Sequence, residues 1–488
     1  MQYSMGEIPY YVYEFFKKGI EDGNNYYSLS QTRSRSAAFF ANATYSYKGR
    51  YTVNGTARYE GTNRMGKSRS ARWLPTWNVS GAWNAHEEKF FSNLTSVLSH
   101  FTLKASYSLT ADRGPADVTN SQAIITSYSP YRPFTSIQES GLYIKELENS
   151  ELTYEKKHEL NIGADMGFLN NRINLAVDWY KRNNYDLIGI VNTQGAGGQI
   201  LKYANIASMK SHGIEFTLST KNIKTKDFNW NTDFIFSNAK NEVTDLKQNA
   251  NVMELISGNG FAKQGYPVRG LFSIPFVGLD KDGIPVIINE KGEATSTDIN
   301  FQERQNTGFL KYEGPTDPTI TGSLGNMFSY KGFRLNLFIT YSFGNVIRLN
   351  PVFKAYYSDL TAMTREFKNR WTLPGDEAKT NVPAILSKRM YDSNEDLKYA
   401  YNAYNYSTER IAKGDFIRLK EISLAYDFPK AWINPLKLTD LSLKVQATNL
   451  FLIYADDKLN GQDPEFFNAG GVASPVPRQF TITLRLGL

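Results

Sequence analysis

From Phe333 to Phe343 the chain alternates. Phe333, Leu335, Leu337, Ile339 and Tyr341 are apolar, while Arg334, Asn336 and Thr340 fall on the other parity. Period-two alternation over this length predicts a strand with one row against an apolar medium and the other against water. Lys331-Gly332 supplies a tight turn back to Ile320–Tyr330, so the two arms read as a hairpin.

The same unit recurs along the chain. Phe39, Ala41, Ala43, Tyr45 and Tyr47 alternate, turn at 48–50, and return through Tyr51 to Tyr59. A strand follows at Trp73 to Trp83, then one carrying Phe101, Leu103, Ala105, Tyr107 and Leu109. Between them, Asn84-Ala85-His86-Glu87 resembles a capping box opening a short helix, with Phe90, Leu94 and Val97 on one side. Further strands are predicted at Leu160 to Met166, Ile173 to Trp179, Ile214 to Leu218, Phe228 to Phe236, Ile417 to Tyr426, Leu441 to Ala447 and Phe480 to Leu488. The parity changes near Lys420-Glu421, which predicts a β-bulge. Residues 241–318 read mostly as connector with a small hairpin at 280–292, and 346–412 as a second long connector holding a helix near Lys354 to Lys368. Residues 1–35 read as an irregular loop remnant.

The sum is about thirteen main strands, and their connectors alternate between two kinds. One end has short turns at 48–50, 169–171, 221–226, 331–332 and 428–437, with 84–98 as the exception. The other end has long ones, including 112–152, 241–318 and 346–412. Transmembrane β-barrels segregate short periplasmic turns from long extracellular loops in this way, and a soluble sandwich has no reason to. The expected fold is all-β: an antiparallel transmembrane β-barrel, partial, with about 13–16 strands of an expected 22. An odd count does not close an ordinary bacterial barrel. Residues 36–488 are therefore expected to be the C-terminal portion of a longer barrel, although one further strand in 1–35 or 241–318 would also make the number even.

Composition adjusts this picture without overturning it. No run of 18 apolar residues exists, so no transmembrane helix is predicted, and the mean hydropathy of −0.44 conceals strands in which only alternate residues are greasy. The 31 Tyr, 30 Phe and 7 Trp suit a membrane-interface belt. Absence of Cys removes disulfides, thiol catalysis and Cys-ligated metal. The net charge of +7 is modest, and the basic run Arg64, Lys67, Arg69 and Arg72 reads as a solvated loop.

Several segments resemble the SusC/RagA-type TonB-dependent outer-membrane transporters. They are YSYKGRYTVNGTARYEGTNRMG (45–66), LKASYSLTADRG (103–114), LTYEKKHELNIGADMGFLNNRINLAVDWYKRNNYDLI (152–188), GYPVRGLFSIPFVGLDKDGIPVI, SYKGFRLNLFITYSFGN, NRWTLPGD, FIRLKEISLAYDFP, and ATNLF followed by GQDPE (461–465). The resemblance runs from about Phe39 to the end, and the segments keep the family's order. It departs at Glu60-Gly61-Thr62-Asn63 and at Leu488, where an aromatic residue is usual. The resemblance implies active uptake of oligosaccharides or peptides in the outer membrane of a Gram-negative bacterium. A SusD-like lipoprotein lid, the TonB–ExbB–ExbD complex and a dimer of transporter–lid pairs are the implied partners. The family's signal, β-sandwich extension, TonB box and plug are expected to lie outside these residues.

Candidate chemistry is sparse, and neither an enzyme nor a cofactor is expected. His86, His100, His158 and His212 are dispersed in sequence without metal-ligand spacing. Asp456-Asp457 with Asp463 and Glu465 lacks the spacing of a calcium loop. The GAGG at 195–198 lacks the strand-then-helix context of a phosphate site. Transport asks instead for loop aromatics that stack on substrate or face the lid. Tyr131, Trp371, Tyr391 and Phe466 are the candidates, with Trp179 and Trp230 expected at the lipid interface. The rival readings are a passive porin-like channel and a soluble or surface β-rich glycan-binding protein.

Overall fold

The computed structural model describes residues 34–114, 123–128, 141–193, 201–352, 363–467 and 477–487, with the single positions 17 and 195. The irregular stretch expected before Ser36 therefore falls almost wholly outside the described residues, as does Tyr131.

Thirteen strands form one antiparallel sheet in which each pairs with the next in sequence. They are β1 (Ser36–Tyr47), β2 (Tyr51–Thr62), β3 (Trp73–Asn84), β4 (Leu98–Asp112), β5 (Glu155–Phe168), β6 (Ile173–Asn192), β7 (Leu201–Lys224), β8 (Phe228–Leu246), β9 (Ile320–Tyr330), β10 (Phe333–Phe343), β11 (Phe416–Asp427), β12 (Asp440–Ala455) and β13 (Gln479–Gly487). Among the described residues no pairing joins β1 to β13. Lys420 is skipped in the register between β10 and β11, which is the expected bulge.

Register places the apolar residues in one row. Leu103 faces Trp83 and Ala164, and Leu175 faces Met166 and Leu218. Val79, Ile162, Ile214 and Val445 in this row are exposed, the pattern of a wall that meets lipid rather than a protein core. The opposite row carries Lys104 paired with Asp165 at 2.6 Å, and Ser219 donating to Asp233 at 2.6 Å. One polar ladder interrupts the apolar row near the short-turn end. Asn222 donates to Thr232 at 2.7 Å and Thr232 to Asn326 at 2.8 Å, so the groups satisfy one another.

The short turns need left-handed backbone. Lys331 and Gly332 have φ of 44° and 89°, the conformation that lets a two-residue hairpin follow the strand twist. A different glycine serves close packing. The Tyr341 hydroxyl crosses β9 above Gly322 and donates to the Ile235 carbonyl at 2.9 Å, bracing three strands. A Cβ at Gly322 would lie 2.1 Å from that carbonyl oxygen and 2.3 Å from the tyrosine hydroxyl. Gly322→Ala is expected to cost about 1–3 kcal/mol through overpacking. Gly325→Ala, where the nearest atom is 3.5 Å away, is expected to be nearly silent. Thermal loss of the compact electrophoretic band should separate the two variants.

The long connectors are more ordered than their sequences suggest. Val252–Ile256 is a helix opened by a capping box of Asn251 and Glu254. Its Val252, Leu255 and Ile256 join Phe272, Ile274, Ile287 and Ala403 in one buried cluster. The expected small hairpin is present as Phe276–Leu279 against Pro285–Ile288, followed by a third short strand, Ala294–Thr295. The helix expected near Lys354 to Lys368 is not confirmed. Residues 353–362 lie outside the described set, and the remainder holds only a 3-10 turn at Arg365–Asn369. Helices occur instead at Lys388–Ser393 and Leu397–Asn405, the latter burying Leu397, Ala400, Tyr401 and Tyr404. At the other end, 84–98 forms two 3-10 turns rather than a capped helix. Asn84 makes no cap because its side chain donates to the Gly49 carbonyl at 2.6 Å and accepts from Thr102 at 2.9 Å.

Candidate functional site

Residues 247–319, 344–352, 363–415 and 456–467 pack together at the long-loop end into a cap. Arg348, only 7% exposed, sits at its centre. Its guanidinium donates to the carbonyls of Ser407 at 2.9 Å, Phe272 at 2.5 Å and Ile256 at 3.3 Å. Burial pulls its pKa down to about 9, and it remains charged at neutral pH. Three separate segments are thus tied to one cation.

Beside this hub the cap holds a cleft of about 700 Å³. Four carboxylates (Glu366, Asp376, Glu409, Asp457) and four cations (Arg370, Lys379, Arg410, Lys458) line it. Arg410 is buried, paired with Glu366, and donates to the Asn350 carbonyl at 2.7 Å. Glu366 also accepts from Asn460 at 2.8 Å, so two connectors meet at one carboxylate. Asp376 is held below the usual carboxylate range by the Leu373 backbone N–H and then by the Thr372 hydroxyl and N–H. Lys379 stands 3.5 Å from it with its side chain largely in solvent. The cleft therefore offers paired charges of both signs.

A second cleft of about 860 Å³ adjoins it, sharing Asp457 and Asn460 and reaching the outer end of β12. Arg418 lies in its wall, paired with Asp463 at 2.5 Å and Glu465 at 3.3 Å. Asp456 accepts the backbone N–H groups of Lys413 at 2.8 Å and Lys458 at 2.9 Å. These acidic residues fasten the last loop to the wall and to the neighbouring connector.

The aromatic candidates take other places. Trp371 borders the first cleft without lining it. Its indole N–H donates to Glu377 at 2.9 Å, and its ring lies where a Cβ on Gly283 would come within 2.5 Å. The Trp371 indole is the main reason Glu377 lies below its ordinary pKa. Tyr391 is half-buried on the helix Lys388–Ser393, and Phe466 is half-buried on the turn Pro464–Phe466. The aromatic that does line the first cleft is Tyr404, fully buried with its pKa pushed up by desolvation. Trp179 lies on β6 between Ile162 and Ile214. Trp230 lies near the inner end of β8, stacked on Phe328 at 5.6 Å and donating to Asn326 at 2.9 Å.

The histidines also differ from expectation in one respect. Although dispersed in sequence, His86 and His100 are brought together at the short-turn end with ring centroids 4.1 Å apart. His86 Nδ1 meets the Phe101 carbonyl oxygen at 3.0 Å, and His100 Nε2 meets the Thr102 hydroxyl at 3.2 Å. His158 stacks between Tyr107 and Tyr185, at 5.7 Å from each.

Comparison with known proteins agrees with this architecture. The family profile described as TonB dependent receptor-like, beta-barrel matches residues 5–450. The TonB-dependent receptor SusC of Bacteroides thetaiotaomicron is 26% identical over 515 residues, covering 97% of this chain and 47% of that protein. TonB-dependent receptor P3 of Formosa agariphila is 25% identical over 446 residues, covering 87% of this chain and 41% of that one. The structure of the RagAB peptide importer in its closed-closed state superposes with a TM-score of 0.73 at 23% identity, over 92% of this chain and 47% of that one. The chain spans about half the length of the curated relatives it matches. Both of these curated relatives are described as TonB-dependent receptors. A single antiparallel wall with an exposed apolar row, a cap over one end and a matching profile across most of its length place the chain in the TonB-dependent receptor β-barrel family of the bacterial outer membrane.

Proposed function

We propose that the protein takes part in TonB-dependent active uptake of oligosaccharides or peptides, together with a SusD-like lipoprotein that covers the cap. The single observation that carries this reading is the open cleft in the cap at the long-connector end, where substrate arriving from outside would first be held. Its lining favours peptides. Neutral sugars ask for aromatic platforms, whereas paired carboxylates and cations suit the termini and charged side chains of a zwitterionic peptide. The similarity to the fold of a peptide importer supports the same choice. Residues 36–488 would supply the C-terminal strands of the complete wall, and the lack of a pairing partner for the outer edges of β1 and β13 among the described residues supports that assignment. Coupling to TonB–ExbB–ExbD would run through a plug held by the whole transporter, and transporter–lid pairs would associate as dimers. Trp179 and Trp230 would face the lipid interface. Tyr131, Trp371, Tyr391 and Phe466 would border the path of substrate or lid.

The test is uptake of labelled short peptides and oligosaccharides by cells carrying the intact gene, with and without TonB. Peptide uptake that requires TonB is the expected result. Large TonB-independent channels in a conductance measurement would instead establish a passive porin. Arg410→Ala is expected to weaken peptide binding by roughly tenfold or more, because a buried guanidinium is lost and Glu366 in the cleft lining is left without its cation. Lys379→Ala, at the exposed rim, is expected to change binding by less than about threefold. Equal binding by Arg410→Ala and the parent would remove the cleft from the substrate path.

A further inference from the structure

The segment Ala85 to Val97 joins β3 to β4 at the end where connectors are otherwise short. One side of it is pinned to the wall. The Asn84 N–H donates to the Arg50 carbonyl at 2.7 Å, and Arg50 Nη1 reaches Glu88 at 3.2 Å. Tyr51 donates its hydroxyl to the same carboxylate. The Leu169 N–H donates to the Val97 carbonyl at 2.8 Å, fixing the segment to the next turn as well. Phe91 is turned inward and is 2% exposed.

The other side is left largely uncovered by the described residues. Phe90 is 61% exposed, Leu94 50% and Val97 59%. Their position identifies the medium they meet. Phe90 lies beside Trp83, with centroids 6.4 Å apart. Trp83 is in register with Tyr51, and Tyr51 with Tyr47. All three belong to the outward row at its inner limit, where aromatic residues of an outer-membrane wall collect. The exposed face is therefore a continuation of the lipid-facing band.

We propose that Phe90, Leu94 and Val97 insert into the inner leaflet of the outer membrane, making this segment an interfacial lipid anchor. A rigid mount on two neighbouring turns keeps the apolar face at a fixed height. Lys89, next to Phe90 in the chain, and Lys48, whose ammonium lies 5.1 Å from the Tyr47 ring centroid, are both exposed, and such side chains can lay their stems along apolar surface while the ammonium meets phosphate. Three side chains are too small a patch for a specific protein partner, which needs some 20–30 residues a side. They match the shallow insertion of an amphipathic segment, in which an apolar face enters the headgroup boundary beside basic residues. This inference rests on the wall lying in the outer membrane and is independent of the transported substrate.

The chain contains no Cys, so single-site spin labelling needs no background removal within it. Nitroxides at Leu94→Cys, Val79→Cys in the wall and Lys226→Cys in a short turn would be compared in isolated outer membranes containing the full chain. Collision with oxygen and with a water-soluble nickel chelate is the readout, and retention of the compact electrophoretic band verifies folding. Leu94 should resemble Val79, with an oxygen-to-chelate ratio several-fold above that at Lys226. A chelate exposure equal to that of Lys226 would overturn the proposal. So would low exposure to both agents, which would mean a covering protein. Phe90→Cys provides a second site should the Leu94 label disturb folding.

Discussion

Arg348→Ala will disorder the cap while leaving the wall standing. The side chain is nearly wholly buried, and its guanidinium satisfies three carbonyls from three segments of the cap. Truncation removes those charge-assisted bonds, strands the carbonyl of Phe272 in a dry interior and opens a cavity. Each buried acceptor left without a donor costs about 1–3 kcal/mol, so the combined loss is expected to exceed about 3 kcal/mol. Lysine is no substitute, since a single ammonium cannot span three acceptors set around a planar fork. The damage should stay local, because no wall strand contributes to these contacts. Limited trypsin digestion should cut within 363–413 far faster than in the parent, with an unaltered heat-modifiable band for the wall. Unchanged digestion would show that the cap is held elsewhere.

The second large effect is expected at Arg418, on β11. Its pairing with Asp463 and Glu465 secures the last loop, and Arg418 and Asp463 have side chains 6% and 9% exposed. Breaking a buried pair from one side costs about 3–5 kcal/mol, since the remaining charge stays out of water without compensation. Arg418→Ala should therefore release residues 456–467 and empty the boundary between the two clefts. Arg418→Ala combined with Asp463→Ala should recover much of the loss, because neither partner is then stranded. Hydrogen exchange of the 456–467 amides reads both variants. Equal protection in the single variant and the parent would contradict this account.

The wall was legible because one physical rule governs it. Lipid on one side and water on the other force strict alternation, and the thirteen strands and the bulge at Lys420 follow from that. The cap obeys no such rule. Its clefts are made by Glu366, Arg410 and Asn460, which meet only through tertiary packing, so no local spacing announces them. Some signals were nevertheless present. Leu397, Ala400, Tyr401 and Tyr404 have helical spacing, and Asn251 with Glu254 is a capping box; both lie in stretches that otherwise read as connector. The helix expected after Asn84 fails for the opposite reason, because tertiary partners at Gly49 and Thr102 claim the capping side chain. Trp371 illustrates what tertiary packing adds: its indole edge and one ring face are already occupied by Glu377 and the turn at Gly283.

The alternation of short and long connectors also bears on how the wall assembles. Lys331-Gly332 brings β9 against β10 almost at once, whereas joining β8 to β9 must close residues 247–319, an entropic handicap of about 3 kcal/mol by loop-length scaling. Hairpins should zip individually and merge only afterwards, with the two largest connectors setting the pace. A growing sheet of this kind carries bare edges while it waits, and its slowest seams lie on either side of the β9–β10 hairpin.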